Sequence, residues 1–206
     1  MEAVAGVKPS ASGTNPYLDR LVDEMRGKLV VLFGEPYSGK TSFAHYVAQK
    51  FPKNVYIAID RNFPPQGLNY VWIDTYEEVF TAIKDVQKGA DSDTLVVIDS
   101  LTTLTEDFLR ERFSSPRRMN ELSRFYAVVL RELSRLKERG ATVLVITHEA
   151  VKDFGTGEIA PSINKRALKH ADMVLRIVRN GNGSRKVVVW GRREIPSQPK
   201  FYVEGV

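Results

Sequence analysis

The sequence contains no cysteine among its 206 residues, and it contains only three histidines. The absence of cysteine excludes a disulfide framework and zinc sites with thiolate ligands, and it fits the reducing interior of a cell. The three scattered histidines do not form a metal-binding triad by their spacing. We therefore expect a cytoplasmic protein whose chemistry depends on neither disulfides nor a histidine metal centre.

The sequence also lacks a long hydrophobic run. No apolar stretch approaches the roughly 18 residues that a membrane-spanning helix needs, and residues 1–14 contain no apolar core like that of a secretory signal. We expect no membrane anchor, and we expect residues 1–13 to form a loose tail. The apolar fraction of the chain is 43%, and residues 14–206 have the length of a single globular domain.

Charge is distributed unevenly along the chain. The net charge is +5, yet residues 164–206 carry ten Lys and Arg against three Asp and Glu, so the rest of the chain is slightly acidic. A basic end on a nearly neutral body suggests an anionic partner, of which nucleic acid is the first candidate. A solvated basic surface is the alternative.

The sequence does contain a phosphate-binding motif. Residues 34–41 read G-x-x-x-x-G-K-T, between the apolar run 29–33 and the helix-compatible run 41–50. The glycines permit a tight turn whose N–H groups point at a phosphate chain, and the following helix adds positive potential. A chance match in an ordinary loop is the alternative, which the strand before and the helix after disfavour. The predicted nucleotide-binding residues are Gly34, Glu35, Pro36, Tyr37, Ser38, Gly39, Lys40, Thr41 and Ser42.

Three side chains are predicted to hold the triphosphate and its metal. Lys40 is expected to neutralise the β- and γ-phosphates of ATP, and the Thr41 hydroxyl is expected to hold Mg²⁺. Asp99 follows the apolar run 94–98, which is typical of a buried parallel strand. At the end of such a strand an aspartate can bind the Mg²⁺ shell. The alternative is that Asp99 only caps the following turn.

The alternation of apolar and amphipathic segments predicts an α/β fold. We expect a mostly parallel central sheet with helices on both faces, and the run Asn-Gly-Asn-Gly at 180–183 predicts a C-terminal antiparallel hairpin. Residues 104–118 are charged and ambiguous, and residues 150–163 are predicted to be an irregular loop. Strands are predicted at 29–33, 55–60, 70–74, 94–99, 142–147, 173–178, 186–190 and 201–203, and helices at 17–25, 41–50, 75–89, 119–139 and 164–170.

The order of these motifs and predicted elements along the chain resembles that of the ATP-binding core of the RecA/RadA recombinases. Among these proteins, the archaeal paralogues of the RadB type are the most similar. The resemblance covers residues 14–203 and implies a RecA-like P-loop fold with ATP and Mg²⁺ as ligands. It also implies an accessory or regulatory role in homologous recombination and DNA repair, beside a RadA-type recombinase or another recombination protein. The segments that carry the resemblance are 17–21 (YLDRL), 34–41, 95–101 (LVVIDSL), 145–149 (VITHE) and 167–172 (ALKHAD).

The resemblance further implies contacts with single-stranded DNA. Two loops of such cores line the DNA path, and they correspond here to residues 105–119 and 150–163. Arginines in the first segment would contact phosphates without reading the base sequence. Plain surface connections are the alternative for both segments. The arginines concerned are Arg110, Arg112, Arg117 and Arg118.

The sequence departs from this family at the residues that orient the water molecule for attack on ATP. The family places a glutamate two residues beyond the aspartate that ends its second strand. Asp60 matches that aspartate, but the glutamate position holds Asn62, whose amide cannot act as a general base. The polar sensor, usually glutamine, is Glu149 here. The catalytic candidates are therefore Lys40, Asp60 and Glu149, and the departures imply slow or absent ATP hydrolysis.

Other functions remain open from the sequence. An active DNA-dependent ATPase of the RecA type, a KaiC-like ATP-binding signalling protein, and an interaction module with a structural nucleotide all fit the phosphate loop. A KaiC-like protein has no evident need for the basic end, and a helicase usually needs a second core.

Overall fold

The structure is a computed structural model, which describes residues 15–59, 67–111, 118–153, 155, 157–163, 168–180, 184–190 and 201–203. The tail expected at residues 1–13 lies outside these ranges, as do Asp60, Asn62 and most of the helix predicted at 164–170. Within the same ranges, no helix is both long enough and apolar enough to cross a bilayer.

Helices and strands are interleaved along the first two thirds of the chain, and the described part of the last third is mainly strands. The helices are α1 (Pro16–Met25), α2 (Lys40–Ala48), α3 (Glu78–Gln87), α4 (Leu101–Glu111) and α5 (Arg118–Glu138). The strands are β1 (Leu29–Gly34), β2 (Lys53–Ala58), β3 (Tyr70–Trp72), β4 (Thr94–Asp99), β5 (Thr142–Asp153), β6 (Glu158–Pro161), β7 (Met173–Arg179), β8 (Arg185–Val189) and β9 (Phe201–Val203).

The strands form one mixed sheet in the order β3-β2-β4-β5-β1-β7-β8-β9, and β6 pairs with β5 off this path. The six strands from β3 to β7 in this order pair in parallel, whereas β8 and β9 are antiparallel additions at the edge. The predicted fold class, a parallel α/β sheet with a C-terminal antiparallel hairpin, is confirmed. All six residues of the central strand β1 are buried, which explains its continuous apolar run.

Helices cover both faces of the sheet, as the alternating residues of β1 show. Leu29 and Val31 belong to a core that β1 shares with α3, α4 and α5. Val30 and Leu32 belong to a second core on the other face, with α1 and α2. Because strand side chains alternate between faces, β1 anchors both layers and fixes where α2 begins.

The predicted loop at residues 150–163 is wrong. Strand β5 continues to Asp153 and pairs with β6 in an antiparallel hairpin, in which Val151 lies opposite Ile159. The β-branched pair suits a strand, and Gly157, at φ +67°, supplies a left-handed residue in the turn. Gly155 and Gly157 therefore lie in the turn of a hairpin and not in an irregular loop.

The segment predicted to be a DNA loop at 105–119 is also mostly not a loop. Residues 101–111 form α4, whose buried Leu101, Leu104 and Phe108 follow helical spacing. Three threonines and two acidic residues separate them, and β-branched threonine does not favour a helix, so the sequence pattern is ambiguous. Arg110 lies in α4 and Arg118 begins α5, while Arg112 and Arg117 fall outside the described residues.

Gly34 ends β1 where the backbone of β7 passes very close. A Cβ atom placed on Gly34 would lie 2.5 Å from the carbonyl oxygen of Ile177 and 2.9 Å from Ser38 Oγ. The first of these is a backbone atom inside a paired strand, so it cannot move aside without disturbing the sheet. A side chain is excluded at the point where the sheet leads into the phosphate loop.

Gly34→Ala is expected to lower the free energy of unfolding by roughly 1–3 kcal/mol, because an added methyl group overpacks a closed site. Gly89→Ala is the matched control: a Cβ atom added there would meet nothing within 4 Å, and its φ is not positive, so it should be neutral or slightly stabilising. Urea unfolding of the three proteins measures both effects. Equal stability of Gly34→Ala and the parent would contradict the close approach.

Candidate nucleotide-binding site

The phosphate loop leads from the end of β1 into the first turn of α2. Gly39 precedes the helix with φ +95°, and no side chain in the described ranges caps the helix by a hydrogen bond. Tyr37, at φ +61°, is 90% exposed. The N–H groups of the first turn of α2 are therefore available to an anion, and the helix dipole adds positive potential there.

Lys40 lies inside the loop that it is predicted to serve. Its side chain is 7% exposed, and Nζ donates to the carbonyl oxygens of Gly34 (3.0 Å) and Glu35 (2.7 Å). Burial lowers the pKa of the Lys40 ammonium group, and the charges of Asp99, Glu149 and Glu35 partly offset that effect. Lys40 thus lies within electrostatic range of two of the carboxylates predicted from the sequence, Asp99 and Glu149.

Thr41 and Asp99 meet directly. Thr41 Oγ1 donates to Asp99 Oδ2 at 2.8 Å, and the hydroxyl of Tyr56 donates to the same oxygen at 2.6 Å. A hydroxyl and a carboxylate oxygen at this separation are the ligand types that Mg²⁺ takes in P-loop proteins. The sequence does not single out Tyr56, which lies in the buried strand β2 among apolar residues.

The Tyr56 hydroxyl stays protonated beside Asp99. Burial, together with the charge of Asp99, raises the pKa of Tyr56 far above its ordinary value, so the hydroxyl keeps its proton. Tyr70 stacks on Tyr56 with ring centroids 4.7 Å apart, and burial and Asp99 raise the pKa of Tyr70 to about 12. The Tyr70 hydroxyl is hydrogen-bonded to Nε2 of His45, whose pKa burial lowers. Asp99 is therefore oriented by the Tyr56 hydroxyl, and the Tyr70 ring holds Tyr56 by stacking on it.

Ser38 fits an anionic ligand in the loop. The residue is 1% exposed, and its Oγ has no hydrogen-bond partner among the residues that the structure describes. A buried hydroxyl without a partner carries a free-energy cost. A phosphate oxygen held by the same loop would remove that cost, so the residues present fit the predicted nucleotide.

Glu149 is held by an arginine that the sequence does not single out. Nε and Nη2 of Arg176, on β7, each lie 3.2 Å from Glu149 Oε2. The two side chains are 24% and 11% exposed, so the ion pair is largely shielded from water. One oxygen of the Glu149 carboxylate therefore contacts a guanidinium group.

A family model described as an AAA domain matches residues 26–194, from just before β1 to just after β8. The chain belongs to this AAA-domain family. The match includes the phosphate loop, Asp99 and the Glu149–Arg176 pair. None of the curated proteins compared with the chain matches it.

Solved structures show the fold of this AAA domain. One, titled "Crystal structure of the RadB recombinase", matches with a TM-score of 0.61 and 22% sequence identity over 86% of each chain. In all, 408 chains of solved structures match, so the fold is too widely shared to specify one activity. The architecture is a RecA-like P-loop ATPase fold, which implies a nucleotide ligand.

Tyr56→Phe is expected to weaken Mg²⁺ binding to the nucleotide complex by roughly tenfold, because partners that orient a metal ligand typically contribute 10- to 100-fold to metal affinity. Nucleotide affinity without metal should not change. Tyr70→Phe removes a neighbouring hydroxyl that contacts His45 and is the control. Calorimetric titration of Mg²⁺ into each protein with ATP makes the comparison. Identical Mg²⁺ affinity in Tyr56→Phe and the parent would argue against this role.

Proposed function

We propose that the protein binds ATP with Mg²⁺ at the phosphate loop and acts as an accessory or regulator of a RadA-type recombinase, with slow or absent ATP hydrolysis. The observation that carries the proposal is the hydrogen bond from Thr41 to Asp99, next to a buried lysine and an uncapped helix. These are the groups that a P-loop protein needs around a metal–triphosphate complex.

Each residue of the loop would have a separate task in binding. The N–H groups at the start of α2 would hold phosphate oxygens, and Lys40 would exchange its carbonyl partners for the phosphate chain. Thr41 and Asp99 would hold Mg²⁺, which would neutralise charge on the β- and γ-phosphates. Tyr56 would keep Asp99 oriented toward the metal.

The proposal of slow hydrolysis rests on the partners that already occupy the carboxylates near the phosphate loop. Asp99 accepts two hydrogen bonds and faces the predicted metal position. Glu149 is paired with Arg176 and would have to leave the guanidinium group before it could take a proton from water. Asp60 lies outside the described residues and stays a predicted candidate.

The accessory role rests on the fold and on charge. The fold matches a structure titled as a recombinase, and the chain has an excess of seven positive charges in residues 164–206. A basic surface favours an anionic partner such as single-stranded DNA. Arg110, Arg112, Arg117 and Arg118 stay the proposed DNA contacts, on the two helix ends that flank residues 112–117 and in that segment itself.

Steady-state phosphate release is expected to be far below that of an active recombinase and to change little in Glu149→Gln, because Glu149 is not available as a base. Lys40→Ala, which should lose ATP binding, gives the background from contaminating ATPases. The assay is run with and without single-stranded DNA. Robust release that DNA increases and Glu149→Gln abolishes would identify an active DNA-dependent ATPase instead.

A RadA-type recombinase is expected to retain the protein in a pull-down with ATP and Mg²⁺, and single-stranded DNA is expected to bind with an affinity that falls steeply with salt. Lys40→Ala tests whether retention by the recombinase depends on the nucleotide. Absence of binding to the recombinase under all nucleotide conditions would contradict the accessory role. DNA affinity that is independent of salt would contradict arginine–phosphate contacts.

A further inference from the structure

Arg185 lies on the same side of the sheet as the phosphate loop. It is the first residue of β8 and lies opposite Arg179 of β7. Ile177 and Val187, two residues away along each strand, are both buried in the core shared with α2. Because strand side chains alternate between faces, Arg179 and Arg185 lie on the α2 side, just beyond that core.

The Arg185 side chain packs against the phosphate loop. A Cβ atom placed on Gly39 would lie 2.9 Å from Cδ, 3.0 Å from Nε and 3.2 Å from Cζ of Arg185. The side chain therefore fills the space next to the residue that immediately precedes α2. Its Nε is buried and has no hydrogen-bond partner in the part of the chain that the structure describes.

The surroundings of this guanidinium group are electrostatically unfavourable without an anion. The positive end of a helix disfavours a cation, and two like charges directly opposite on paired strands repel each other. Over the described ranges, neither Arg185 nor Arg179 forms an ion pair with a carboxylate. A buried N–H without a partner adds a further cost.

We propose that Arg185 donates to a phosphate oxygen of the nucleotide held in the phosphate loop, so that each copy of the chain supplies its own arginine to its own site. This inference rests on the proposed nucleotide binding. A phosphate chain would provide the missing acceptor, and its negative charge would offset both the helix dipole and the repulsion from Arg179. The partnerless Ser38 hydroxyl, inside the same loop, independently indicates that the loop is built to hold an anion.

A phosphate-binding role and a structural role of Arg185 predict different thermal stabilities for ligand-free variants. An arginine whose charged group stabilised the fold would make hydrogen bonds or ion pairs in the absence of ligand. Arg185 makes none with the described residues, and it faces Arg179. Replacing it with a neutral side chain should therefore leave the thermal midpoint of the ligand-free protein unchanged or raise it.

The test compares Arg185→Gln and Arg185→Lys with the parent protein. The control is Arg20→Gln, which removes the same charge from an exposed position on α1 whose partner is Glu24. Each protein is titrated calorimetrically with Mg²⁺–ATP and, separately, with inorganic tripolyphosphate. Thermal unfolding without ligand is measured in parallel.

Arg185→Gln is expected to lower the affinity for both ligands by roughly 10- to 100-fold, which is the contribution of a hydrogen bond to a charged group. Arg185→Lys should recover part of the affinity, because it keeps the charge but not the planar fork of donors. Arg20→Gln should bind as the parent does. If Arg185→Gln loses the same factor in affinity for ATP and for tripolyphosphate, the arginine contacts the phosphates.

Several results would overturn the inference. Unchanged ATP affinity in Arg185→Gln would refute it and leave the proposed function intact, whereas a parent protein that binds no ATP would refute both. A lower affinity of Arg185→Gln for ATP but not for tripolyphosphate would show that Arg185 contacts the base or the ribose. A lower thermal midpoint in both Arg185 variants would show that the arginine supports the fold.

Discussion

The hydrogen bond between Thr41 and Asp99 is the contact on which the proposed site depends. It joins residues 58 positions apart, at the start of α2 and at the end of β4. Strand β5 lies between β1 and β4 in the sheet, so the two strand ends are separated by two strand spacings, about 9.5 Å. The first turn of α2 crosses that gap because both cores hold β1, β5 and β4 in parallel register.

The polar groups around this contact are held in place, but among the described residues they are not all paired. Positive groups converge on the loop: the start of α2, the Lys40 ammonium group and the Arg185 guanidinium group. Asp99 and Glu149 already have hydrogen-bonding partners, Glu149 through Arg176. Ser38 Oγ and Arg185 Nε are buried without a partner among the described residues. A binding site that holds its polar groups in place before the ligand arrives has such unpaired groups, because the ligand supplies their partners.

The sequence predicts those features that depend on local pattern. The phosphate loop and Asp99 can be predicted because each follows a continuous apolar strand. The parallel sheet is predicted by the interleaved strand and helix patterns. The sequence pattern does not predict helix α4, because threonines and acidic residues separate Leu101, Leu104 and Phe108 and threonine does not favour a helix. The β5–β6 hairpin escapes it because a Gly-Thr-Gly run is equally typical of an irregular loop. Sequence periodicity cannot reveal Glu149–Arg176, since β1 lies between β5 and β7. Nor can it reveal that Tyr56 contacts Asp99 or that Arg185 lies on Gly39, because both depend on tertiary register.

The most direct test of the central claim is a crystal structure with a non-hydrolysable ATP analogue and Mn²⁺, whose anomalous signal locates the metal. The account predicts that the metal lies between Thr41 Oγ1 and Asp99, replacing their hydrogen bond. It also predicts that Lys40 Nζ moves from the carbonyl oxygens of Gly34 and Glu35 to the phosphate chain. A loop that stays empty at saturating analogue, with Lys40 still bound to those carbonyl oxygens, would contradict the account.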